Sequence, residues 1–173
     1  VYAVVWAGQV ARRLGEPAVA DSLDRYAEER WHLLPERQRN SIRANQARME
    51  RDWEEVLRWT RENHRLDPLG IPAVSHAGAA LHLNRPWEAI EALEGMNPYT
   101  EEWRETWDEF GRWYWFNLSR AYHVLGDHER ELLLAREARD RFPERMDVLL
   151  REVHAQAALG QVEEVHRLLD EAP

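Results

Sequence analysis

A chain of 173 residues is long enough to bury a core, either as one compact domain or as a short solenoid. With 44% hydrophobic and 32% charged residues it is too apolar for disorder, and no apolar run approaches the roughly 20 residues that span a bilayer. The net charge of −9 argues against nonspecific nucleic-acid binding, which needs a basic face, and the absence of cysteine excludes disulfides and thiolate metal sites.

All 23 basic residues are arginine, which reads first as the codon bias of a GC-rich bacterial genome and second as selection for the planar guanidinium fork. Nine tryptophans are many for this length. Val1 lies inside an apolar stretch with no initiator Met, as expected for a mature or excised fragment.

In chain order, the first helical stretch meets a boundary at Leu14-Gly15-Glu16. Trp53-Glu54-Glu55-Val56 then recurs as Trp87-Glu88-Ala89-Ile90, from 53 to 87, an offset of 34. Gly95-Met96-Asn97-Pro98 breaks the chain and begins an insertion of about seven residues. Thr100 with Glu101 and Glu102 is a good helix start, and the following helix is expected to run from about Glu101 to Leu125. Leu118, Ala121, Tyr122 and Leu125 fall at i, i+3, i+4, i+7 along one helix face. Gly126 can end that helix at positive φ, and Asp127 can cap the next, which runs through Leu132, Ala135 and Ala138 to Pro143. Leu125-Gly126-Asp127 recurs as Leu159-Gly160-Gln161, where 126 and 160 are again 34 apart.

Trp115, Leu118, Ser119, Tyr122, Gly126, Ala138 and Pro143 resemble, in order, the signature of the tetratricopeptide-repeat family. The resemblance implies an all-α, right-handed α–α superhelix of about five helical hairpins, covering residues 1–36, 37–70, 71–111, 112–145 and 146–173 as one helical-repeat domain. The small residue of the first helix recurs in the first four units as Gly8, Ala44, Gly78 and Ser119. Glu131 departs from the pattern, standing where the family has a small alanine; Val56, Ile90 and Val165 replace that alanine in other units.

The same resemblance implies a protein-interaction scaffold whose first helices line a concave groove. Carried over by register, the inner positions include Gln9, Arg12, Asn45, Arg48, His76, Phe116, Asn117, Arg120, His123, Arg151 and His154, with Asp147 the one acid among them. A locally positive groove suits a partner protein or peptide bearing carboxylates, since arginine offers them a bidentate fork. Trp103, Trp107 and Phe110 share one face of the long helix, with Trp113 on another. They either pack back onto the third unit or form an aromatic ledge for a partner.

Catalysis, cofactors and metals find no support in the spacing. The eight histidines include no His-x-x-x-His pair, His123 and His128 straddle a turn, and no phosphate loop or nucleophile motif occurs. Val1–Val5 and the last helix with Val165, Leu168 and Leu169 carry no polar cap, so head-to-tail stacking into a homo-oligomer or filament stays open as the second reading.

Overall fold

The computed structural model describes residues 2–98 and 112–170, and every regular element among them is helical. The helices are α1 (Tyr2–Arg13), α2 (Pro17–Glu29), α3 (Glu36–Glu50), α4 (Trp53–Leu66), α5 (Ile71–His82), α6 (Pro86–Leu93), α7 (Arg112–Leu125), α8 (His128–Arg141), α9 (Met146–Ala158) and α10 (Val162–Asp170), with a 3₁₀ turn at Trp31–Leu33. Consecutive helices pair as α1–α2, α3–α4, α5–α6, α7–α8 and α9–α10. The part of the long helix expected between Glu101 and Gly111 lies outside the described residues.

The chain forms two compact units, Val1–Leu66 and Asp67–Pro173. In the first, α1 packs on α2 and α3 on α4, and Val5, Ala27, Leu34 and Ile42 form a core beside Trp31. In the second, each odd-numbered helix packs on its hairpin partner and on the next odd-numbered helix, so α5, α7 and α9 lie side by side. Trp115, Ala138 and Val148 form its central cluster, where Trp115 meets Phe142 edge-on at 5.8 Å. Leu149, Val153 and Leu168 continue the core toward α10.

All five hairpin turns use a residue in the left-handed region: Gly15, Arg51, Asn84, Gly126 and Gly160 have φ between 56° and 77°. Glycine adopts this conformation without a Cβ penalty and asparagine tolerates it, whereas arginine does so under strain. Two of the turns are followed by an aspartate that caps the second helix. Asp52 Oδ1 accepts from Glu55 N–H at 3.1 Å, and Asp127 Oδ1 accepts from Arg130 N–H at 3.2 Å. Elsewhere Pro17 and Pro86 open α2 and α6, where a missing N–H costs nothing.

Buried polar groups tie neighbouring helices together. Asn63 on α4 donates to Arg37 O and Ser41 Oγ on α3, and Asn117 on α7 donates to Val74 O on α5 at 3.1 Å. Glu152 on α9 is 3% exposed and receives Arg136 Nε at 3.2 Å and Arg139 Nη1 at 2.8 Å from α8.

Candidate functional site

The side-by-side placement of α7 and α9 assembles a cationic and aromatic surface in the second unit. On α7, Trp113 and Phe116 are one helical turn apart and meet edge to face at 5.0 Å. Arg151 of α9 lays its guanidinium on the Phe116 ring, with Cζ 3.9 Å from the centroid, and Arg112 sits 5.1 Å from that of Trp113. Arg112 Nε is also 3.4 Å from Asp147 Oδ2 across the two helices, and Arg145 Nε holds the other oxygen at 2.9 Å.

Burial pushes Arg151 below the ordinary arginine range, and the charge of Arg120 pushes it the same way; Glu131 and Asp147 pull in the opposite sense. Among the described residues, Arg151 Nε is buried without a hydrogen-bond acceptor. Asp147 lies below the usual carboxylate range, through its bond to Arg145 first and the charges of Arg145 and Arg112 after it. Two residues from the expected groove, Phe116 and Arg151, are thus joined to one of the expected aromatic residues, Trp113. His154 is exposed on α9.

Two residues that the repeat register places in a groove are interior instead. Asn117 is 5% exposed and bound to Val74 O, and His76 is 6% exposed with Nε2 2.8 Å from Glu88 Oε1. Each is used in helix packing, because a short polar side chain at a close helix crossing finds a backbone carbonyl or a carboxylate before it finds solvent. Trp103, Trp107 and Phe110 lie outside the described residues, as do the side chains of Gln9 and Arg12.

The first unit differs in charge. Arg48 donates to Asn45 Oδ1 at 2.7 Å, and burial lowers its pKa. The open groove nearby is lined by Asp24, Glu50, Asp52 and Glu55, with Arg43 resting 4.4 Å over Trp59. Carboxylates predominate there.

A third constellation was missed by spacing rules that search one helix at a time. His123 lies in the last turn of α7, while His128 and Glu131 stand one turn apart at the start of α8, so the hairpin turn brings them together. Their possible metal-ligand atoms all lie within 4.8 Å of one another. The departure of Glu131 from the expected alanine was the available signal.

No protein-family model matches the chain, and no curated protein matches it.

Proposed function

We propose that the chain is a tetratricopeptide-like interaction module that binds an acidic peptide or partner protein through the α7/α9 face. One observation carries this reading: Arg151 is laid on Phe116, partly desolvated beside Arg120, with its Nε lacking an acceptor. A guanidinium held in this way has already lost part of its hydration and rotamer freedom, so a carboxylate ligand meets a preorganised fork. Trp113, itself 38% exposed, offers an apolar contact next to the charge. Arg112 is already engaged with Asp147, which leaves Arg120 and Arg151 as the pair that reads the ligand.

The test is fluorescence anisotropy with a labelled Asp/Glu-rich peptide and an Asn/Gln-rich peptide of equal length. The acidic peptide should bind more tightly, and Arg120→Glu and Arg151→Glu should each weaken it by about tenfold or more, equivalent to about 1.4 kcal/mol or more. Circular dichroism of both variants checks the fold. Equal affinity for the two peptides, or folded variants with unchanged affinity, would end this reading.

A further inference from the structure

We propose that His123, His128 and Glu131 form a binding site for one divalent first-row transition ion of the zinc class, clasping α7 to α8 across the Gly126 turn. This site is separate from the acidic-peptide reading and stands on its own geometry. His128 and Glu131 are i and i+3 on α8, so they share a face, and Asp127 fixes the start of that helix by accepting from Arg130 N–H. His123 reaches the same point from the last turn of α7. Its Nδ1 lies 3.0 Å from Glu131 Oε1 and 2.9 Å from Oε2, and His128 Nδ1 lies 2.9 Å from Oε2.

The carboxylate is the informative member. Glu131 is 1% exposed, yet its hydrogen-bond partners among the described residues are two imidazoles. The other deeply buried carboxylate of this unit, Glu152, is neutralised by two guanidiniums. Neutral imidazoles donate hydrogen bonds but bring no charge, and the Arg151 guanidinium, whose charge also acts on Glu131, gives it no hydrogen bond among the described residues, so the buried carboxylate can still hold a cation directly. A proton on one ring supplies a single charge. A divalent ion supplies two and accepts the lone pairs of all three groups.

Two imidazole nitrogens with one carboxylate suit zinc and its neighbours rather than magnesium or calcium, which take oxygen ligands. On a tetrahedral ion with bonds of about 2.0–2.1 Å, ligand atoms stand about 3.3 Å apart, so the two histidine–carboxylate spacings need to open by only a few tenths of an ångström, while the two imidazole nitrogens lie within 4.8 Å of one another. The side chain of His123 is 49% exposed and that of His128 27%, which provides an entry path and room for water at the fourth position.

The full chain, stripped of metal with a chelator, is titrated with Co²⁺ by visible absorption and with Zn²⁺ by calorimetry. The tightest site should take one equivalent and give the intense bands of four- or five-coordinate cobalt. Glu131→Gln and His128→Ala should each weaken that site about tenfold or more, and His166→Ala, an exposed histidine on α10, should leave it unchanged. If Glu131→Gln fails to fold, the half-exposed His123→Ala carries the same expectation. Absence of binding at millimolar metal, or equal affinity in folded His123→Ala and His128→Ala chains, would overturn the site.

Discussion

Glu152 and Gln156 lie one turn apart on α9, both sealed from solvent, and they present opposite cases of buried polarity. Glu152 meets two guanidiniums, whereas both amide atoms of Gln156 are without partners among the described residues at 0% exposure. A satisfied charge costs stability when it is removed, and an unsatisfied amide costs stability while it stays. Glu152→Gln is therefore expected to destabilise the chain by about 1–3 kcal/mol, because Arg136 and Arg139 lose a charged acceptor. Gln156→Met keeps the volume and removes two unpaired polar atoms, so a gain of about 1 kcal/mol is expected. Urea denaturation of the two variants checks both signs together, and a loss of stability in Gln156→Met would mean that the amide has a partner such as an ordered water. Neither role is legible from residue type. A glutamate or glutamine at helical spacing reads as solvated surface until the neighbouring helix is placed against it. Asn117 and His76 mislead for the same reason, since repeat register fixes a residue's angle on its helix but not how deeply the neighbouring helix covers it.

The hairpin turns show what a sequence carries openly and what it conceals. Leu14-Gly15, Leu125-Gly126 and Leu159-Gly160 mark three of them, because glycine is the residue that a left-handed turn most favours. The same conformation at Arg51 and Asn84 carries no such mark, although these residues close α3–α4 and α5–α6 in the same way. The turns at 84 and 126 are 42 residues apart, against 34 for 126 and 160, so the wider interval contains the insertion inferred after Gly95. At Arg51 the side chain is exposed and the left-handed backbone is strained, so Arg51→Gly should raise stability by about 0.5–1 kcal/mol. Gly126→Ala should lower it by about 1 kcal/mol, although a Cβ there would meet no atom within 4 Å. Thermal melts of both variants separate backbone strain from crowding. If Gly126→Ala melts with the parent chain, the turn is not held in the left-handed region. The metal-ligand triad was concealed at this scale also, because its members belong to two helices and only the hairpin joins them.

Over the molecule, charge and apolar exposure act against each other. Thirty-two carboxylates against 23 arginines give the net charge of −9, which sets copies of the chain in mutual repulsion. Trp6 and Val10 on α1 and Leu14 in the turn just after it follow at i, i+4 and i+8, and they are 40%, 51% and 72% exposed. Such a stripe is the kind of surface that self-association would use. Repulsion between exposed charges reaches about 8 Å at physiological ionic strength and about 3 Å at 1 M salt, while apolar attraction is not screened. The balance therefore depends on salt in a way that separates the two readings of the chain. An interaction module that works through α7 and α9 should hold a mass near 20.5 kDa by light scattering across a concentration series at physiological salt. If mass grows with concentration there, and grows faster at 1 M salt, the α1 stripe becomes the working surface. Trp6→Glu should then restore the monomer, because a carboxylate adds both charge and a desolvation cost where the copies would meet.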